Sequence, residues 1–502
     1  MTRMLLRSGK DPFTPVTAEA TLDQDVFNSN SGNYLFQHAI WKSLQTPDTE
    51  IVSNGTLSER EPPGPDDANR INDEFDHFVI PLANAFRPEF SKRLEKLTSL
   101  IEGLNIPVTV IGVGAQAGVE LKTEALDEMS DVVRAFVGAV LDRSASIGVR
   151  GDFTKNYLTG LGFADDAIDV IGCPSLFLHG PDLRIDKDRA GINAQSKVAL
   201  NLTPEVPGIG AFATQQAAAH PNLTYIGQDA NDLRLMLWGV PFPHVTDQLA
   251  PVHSKHPLYL EDRMRLFLDG WTWFDFLASC DFTYGTRFHG NVAALLARRP
   301  AMLLAHDSRT LELAEYHQMP HRVIPEFADP IDAVALYDEA DFSQFNAELP
   351  RGFERYRSFL ERNELANIWQ PGHENPQFAV RVSQTAFPPA VKTLCAPGAA
   401  ELVSRLQWMY DSQIFDSTLH QNAYQHPFAH PPRRDPATRL YKAEQSTKDK
   451  LAANRAELNE LRNRLQRLEN RTVKRFVQRG FGRLKRSVQP KPKELPEGKS
   501  DG

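Results

Sequence analysis

Short apolar runs rich in branched residues alternate along this chain with stretches of helical, amphipathic period. Residues 77–82 and 107–114 are two such runs, and 90–104 between them is amphipathic. Runs that are apolar at nearly every position predict parallel strands buried on both faces and joined by a crossover helix. Residues 199–203 and 300–305 open and close a second set, with the polar stretch 181–197 as a linker between the sets. The pattern predicts an α/β protein whose two parallel-sheet domains, 25–190 and 191–330, face each other across a cleft. Residues 1–24 read as an N-terminal arm and 331–436 as a helical and irregular extension, with a helix over 352–368. From there the spacing changes to sevens: Leu451, Leu458 and Leu465 alternate with Asn454, Leu461 and Leu468. That heptad seam predicts a coiled coil over 437–470, pairing two copies through 451–468. A single helix packed on its own domain is the alternative.

Composition narrows the class. At 502 residues the chain is too long for one core. Hydrophobic residues at 41% and charged residues at 24% fit a globular protein, and no apolar run approaches the length of a membrane span. The first 15 residues have only Leu5 and Leu6 as an apolar centre, which predicts no secretory signal. Three scattered cysteines, Cys173, Cys280 and Cys395, without metal-like spacing, point to a reducing compartment, hence the cytoplasm. A net charge of -9 argues against nucleic acid as a partner. Within 471–486, however, seven Lys and Arg residues stand without an acid, interleaved with Phe476, Val477, Phe481 and Leu484. Such a segment fits peripheral contact with an anionic membrane at its inner face, each cation adding about 1 kcal/mol, or else a solubilising tail. His420, His426 and His430 lie among prolines and predict no metal site.

Three short segments carry candidate chemistry. Thr286, Arg287, Phe288, His289 and Gly290 put a fixed cation and a titratable imidazole where an apolar run turns into helix. An anion there would meet helix N–H groups, the positive dipole end and a guanidinium fork together. A structural arginine and a core histidine are the alternative. Residues 146–153 repeat the arrangement, with Arg150 ending a strand and opening a helix before Gly172, Cys173, Pro174 and Ser175. A third segment, Asn28, Ser29, Asn30, Ser31, Gly32 and Asn33, is a polar turn before helix-forming residues. Residues 112–118 are glycine-rich but lack dinucleotide spacing, and read as a strand-end turn with Gln116 as a polar contact.

In order and context these segments, from about residue 25 to 325, resemble the polysaccharide pyruvyltransferase family. The chain departs from that pattern in a weak first strand over 17–27, and in Arg309 where the family commonly has lysine. The resemblance implies two Rossmann-like domains in a GT-B-like arrangement. It also implies phosphoenolpyruvate as co-substrate, no further cofactor, and a sugar or lipid-linked oligosaccharide as acceptor in surface or exopolysaccharide synthesis. Arg150 and Arg287 would then hold the donor, and His289, with a pKa near working pH, would be the general acid. Asn30 and Asn33 would face the acceptor, with Gly32, Gln116, Gly290 and Arg309 completing the substrate site. Two other readings stay open: a nucleotide-sugar glycosyltransferase, which needs a ribose-binding carboxylate, and a non-catalytic assembly protein.

Overall fold

The structure, a computed structural model, describes residues 1–56, 65–328, 331–396 and 398–414. The heptad segment, the basic tail and the histidines after 415 lie outside the described residues. Among the described residues no helix is long and apolar enough to cross a membrane.

Two parallel sheets organise the chain. The first is built from β1 (Thr2–Leu6), β2 (Thr49–Ser53), β3 (His77–Pro81) and β4 (Val108–Ile111) in the order β2-β1-β3-β4. A bridge between Val113 and Val149 extends it to a ladder of β5 (Ile147–Val149) and β6 (Ile168–Val170). The second has β7 (Val198–Asn201), β8 (Thr224–Ile226), β9 (Met264–Arg265), β10 (Phe282–Gly285), β11 (Ala301–Ala305) and β12 (His321–Val323) in the order β9-β8-β7-β10-β11-β12. Counted within each half, the orders are 2-1-3-4 and 3-2-1-4-5-6, the two doubly wound arrangements in which strand order reverses at one point. The chain is thus a pair of Rossmann-like halves facing a cleft, the GT-B-like layout.

Two expectations need correction. Residues 1–24 are not an arm: Thr2–Leu6 is the second strand from the edge of the first sheet, with Met4, Leu5 and Leu6 buried. Three apolar residues between Arg3 and Arg7 suffice because β2 and β3 flank this strand. Residues 17–27 instead hold a short helix, Ala18–Asp23, capped by the Thr17 hydroxyl. The extension also departs from the helix expected over 352–368. Its long helix runs over Ser343–Arg362 with Pro350 inside, and buries Phe345, Leu349, Gly352, Phe353, Tyr356, Phe359 and Leu360 at helical spacing. It returns to the first half, where Phe359 lies against Gly148 of β5 and Asn363 binds the Ser146 hydroxyl at 3.0 Å.

Candidate active site

In doubly wound sheets ligands bind at the carboxyl ends of the strands where the order reverses. In the first sheet that point lies between β1 and β3. Arg7, the residue after β1, is buried there and donates from Nη1 to the Pro81 carbonyl at 2.8 Å. In the second it lies between β7 and β10. Arg287, two residues past β10, donates from its backbone N–H to Asn201 Oδ1 at 2.9 Å and from Nε to the Leu202 carbonyl at 2.8 Å. Gly285 makes that approach possible, since at φ 147° a Cβ would stand 1.8 Å from the Asn201 carbonyl oxygen.

Asp229 completes the hold on Arg287, accepting from Nη2 at 2.5 Å. The same carboxylate caps α3 (Ala230–Trp238) by accepting from the backbone N–H groups of Asn231 and Asp232. Burial alone would lower the Arg287 pKa, but Asp229 and Asp232 outweigh it and raise it, so the guanidinium is a permanent cation. Only Nη1 is left without one of these bonds.

The polar turn of the first half lies on this cap. Asn30 bridges to Asp229, Ser31 N–H donates to the Gln228 carbonyl at 2.7 Å, and Ala230 N–H to the Ser29 carbonyl at 3.2 Å. Asn28 and Ser29 take φ of 51° and 64°, a left-handed turn held by Asn33 Nδ2 donating to the carbonyls of Phe27 and Asn28. The turn leads into α1 (Gly32–Leu44), whose Asn33, Phe36 and Gln37 share one face toward the cleft.

Arg150 ends β5 just before α2 (Asp152–Gly160). It is 4% exposed, donates from Nε to the Gly112 carbonyl at 3.0 Å, and leaves Nη2 buried without a partner. Burial lowers its pKa, the Cys173 side raises it and Arg309 lowers it further. Arg309 sits in the first turn of α5 (Ser308–Tyr316), its Nε 2.6 Å from Asp307, which caps that helix. His289 is in the first turn of α4 (Phe288–Leu296), its Nε2 3.6 Å from the Cys173 sulfur. Burial, then Arg150 and Arg309, push the imidazole down to about 3, so it is neutral rather than poised near working pH.

These residues line one cavity of about 430 Å³ between the halves. Among the described residues its wall holds six arginines, Arg7, Arg87, Arg93, Arg150, Arg287 and Arg309, and one carboxylate, Asp229, while Asp307 pairs with Arg309. The sequence-derived Arg150, Arg287, His289, Arg309, Asn30 and Asn33 all face it. Gln116 does not; it stands behind Asn84, whose Nδ2 it accepts. Gly32 and Gly290 serve packing. A Cβ at Gly32 would come within 2.7 Å of the His289 Cβ, and one at Gly290 within 2.6 Å of Asn201. Arg7, Arg87 and Arg93 escaped sequence reasoning, although Arg7 obeys the same rule as Arg150 and Arg287, an arginine within two residues of a strand's end. No group of three metal-ligating side chains occurs among the described residues.

The description of the polysaccharide pyruvyl transferase family matches residues 30–308, more than half of the chain. The chain belongs to that family. Arg87, Arg93, Arg150, Arg287 and His289 fall inside the match, while Arg7 and Arg309 fall outside it. No curated protein matches significantly. Solved structures with similarity include the S. aureus MnaA–UDP co-structure, at 13% identity, covering 78% of this chain and 99% of that one, with a TM-score of 0.35. Anabaena Alr3699/HepE in complex with UDP-glucose has 13% identity, coverage of 76% and 100%, and a TM-score of 0.35. UDP-GlcNAc 2-epimerase from Neisseria meningitidis bound to UDP-GlcNAc has 10% identity, coverage of 76% and 100%, and a TM-score of 0.32. These likenesses are too distant to carry a function to this member of the family.

A buried acid joins the halves behind the cavity. Glu312 of α5 accepts from Thr154 N–H at 2.7 Å and from its hydroxyl at 3.1 Å, capping α2 beside Arg150. Burial raises its pKa to about 7, against the downward pull of the Thr154 hydrogen bonds. A folded pKa above the unfolded value of about 4.3 means stability present at low pH and lost as pH rises toward 7. In Glu312→Gln the fall in denaturation free energy between pH 5 and pH 8 should be smaller than in wild type. An unchanged pH dependence would show that Glu312 titrates normally.

Proposed function

We propose that the cavity binds phosphoenolpyruvate and transfers its pyruvyl carbon skeleton, as a ketal, onto two hydroxyls of a saccharide. The observation that carries this reading is Arg150, whose Nη2 is buried and unpartnered in a wall it shares with Arg287 and Arg309. Like charges gathered this closely are costly without an anion, and guanidinium forks match both carboxylate and phosphate. The donor carries one of each. A nucleotide-sugar reading would need a carboxylate free to bind ribose, and Asp229, at the end of the second strand of its sheet, is committed to Arg287 and to capping α3.

Arg150 and Arg309, the two cations that act on His289, would hold the donor beside it. A bound trianion would raise the imidazole pKa, so that binding brings a proton onto His289. His289 then gives this proton to the methylene carbon while a sugar hydroxyl adds to C2, the hydroxyl proton returning to the imidazole. The C2–O bond to phosphate breaks with its electron pair on phosphate, leaving an oxocarbenium centre. Arg287 Nη1 and Arg150 would stabilise the departing charge. The second hydroxyl closes the ketal, and its proton leaves on phosphate.

His289→Gln should therefore keep the Kd for phosphoenolpyruvate within about threefold while kcat falls roughly 100-fold, the share of a positioned general acid. Titration in buffers of different ionisation enthalpy should show proton uptake on donor binding in wild type and none in the variant. Equal losses in affinity and rate would make His289 a phosphate ligand instead.

A further inference from the structure

Cys173 stands behind His289 rather than in the cavity. It is fully buried, it is not part of the wall, and its sulfur lies 3.6 Å from His289 Nε2. The turn after β6 fixes that sulfur. Gly172, at φ 69°, passes so close to His317 that a Cβ would collide with its Nε2, and the Cys173 N–H donates to the same nitrogen at 2.8 Å. Burial, then Arg355, push His317 down to about 3, so its ring is a neutral acceptor for this bond.

The hydrogens follow from the donors at hand. Burial raises the Cys173 pKa, against the downward pull of Arg150 and Ser175, so the group is a thiol with one hydrogen. That hydrogen is directed to Ser175 Oγ, at 3.2 Å. The sulfur then turns lone pairs toward His289, and a neutral imidazole meets them favourably only with Nε2–H. His289 Nδ1 makes no hydrogen bond to the described residues and is left to the cavity, whose wall includes Arg150 and Arg309. Those cations favour a lone pair at Nδ1 and oppose an N–H there. Both ends of the ring thus select the same tautomer.

We infer that Cys173 is a positioning residue that holds His289 in the Nε2–H tautomer, leaving Nδ1 bare toward the donor as the atom that carries the transferred proton. This rests on the reading of His289 as the acid. When the donor binds, a proton from solvent joins Nδ1 while Nε2–H stays on the sulfur. The Nδ1–H bond then breaks as a C–H bond forms at the methylene carbon, and the emptied Nδ1 takes the proton of the attacking hydroxyl. Cys173 touches neither substrate and keeps its own hydrogen throughout. Without the sulfur the ring is free to exchange its hydrogen to Nδ1, where it blocks proton uptake.

Nitrogen-15 NMR of the full chain labelled in its histidine rings, with His289→Gln to assign the signals, reads the tautomer directly. In free wild type the hydrogen should sit on Nε2, and saturating phosphoenolpyruvate should add a second one at Nδ1. Cys173→Ala should give a mixture of tautomers, with Kd for phosphoenolpyruvate within about threefold of wild type and kcat at least about tenfold lower. Cys173→Ser, whose hydroxyl can donate to Ser175 and accept from Nε2–H, should restore the tautomer and most of the lost rate. A packing role would distinguish neither the two variants nor the two nitrogens. Equal loss of rate in both variants with the Nε2–H tautomer kept would overturn the inference. So would a hydrogen on Nδ1 in the free wild-type ring, a result that needs no variant to fold. An Nε2–H tautomer lost in Cys173→Ala and restored in Cys173→Ser, in a chain that does not bind phosphoenolpyruvate, would uphold the hold of Cys173 on His289 and sink the donor reading instead.

Discussion

Arg150→Met should lose at least about 100-fold in kcat/KM for phosphoenolpyruvate, roughly 3 kcal/mol of transition-state stabilisation, while its melting temperature stays level or rises. The loss follows from the position of the guanidinium, which is nearly wholly buried with Nη2 lacking any protein partner. A cation so placed is costly to the fold and useful only to an anion. Methionine of similar length keeps the packing and forfeits the Gly112 carbonyl bond, worth about 1 kcal/mol, in exchange for removing a buried charge that Arg309 opposes. Arg150→Lys should recover little activity, since a point donor cannot replace the fork. Retention of more than a tenth of wild-type kcat/KM, or a large drop in melting temperature, would make Arg150 a structural residue.

Asp229→Ala should have the opposite signature, with fold and turnover failing together. The carboxylate neutralises Arg287, and it caps α3, against which the Asn30 turn is laid. Removing one partner of a buried pair costs about 3–5 kcal/mol, because the other charge is left uncompensated. Loss of the cap adds about 1 kcal/mol. Chemical denaturation should show a fall of that size, and Arg287, without its second anchor, should no longer present Nη1 in a fixed direction. Asp229→Asn, which keeps a capping oxygen, should recover part of the stability but not the rate. A stable, fully active Asp229→Ala would show that Arg287 is held by Asn201 and Leu202 alone.

Much of this was legible from residue order, and the failures have physical causes. Arg150, Arg287 and His289 could be read because each stands where an apolar run gives way to a helix, which is where a parallel sheet exposes its ligand-binding edge. Arg7 was lost with its strand, since three apolar residues between two arginines carry too little period to read as β. Strands such as Thr224–Ile226, Met264–Arg265 and His321–Val323 are shorter still, and they form because neighbouring strands offer paired backbone groups rather than because their own pattern demands it. The long C-terminal helix was expected to begin near Gly352, just past Pro350, yet Phe345 and Leu349 before the proline are buried and carry the helix through it. The neutrality of His289 was out of reach for another reason. It depends on burial and on Arg150 and Arg309, which only the fold brings beside it.

Transfer from labelled donor tests the central claim most directly. The wild-type chain, phosphoenolpyruvate carrying ¹³C at C2 and glucose 1-phosphate or its polyprenyl diphosphate counterpart would be followed together by carbon and phosphorus NMR. The account predicts that the enol carbon signal gives way to that of a quaternary ketal carbon in step with the appearance of inorganic phosphate, one for one, and that neither change occurs with Arg150→Met. Phosphate release with the label recovered as free pyruvate, or no consumption of phosphoenolpyruvate with any phosphorylated or free saccharide, would contradict it.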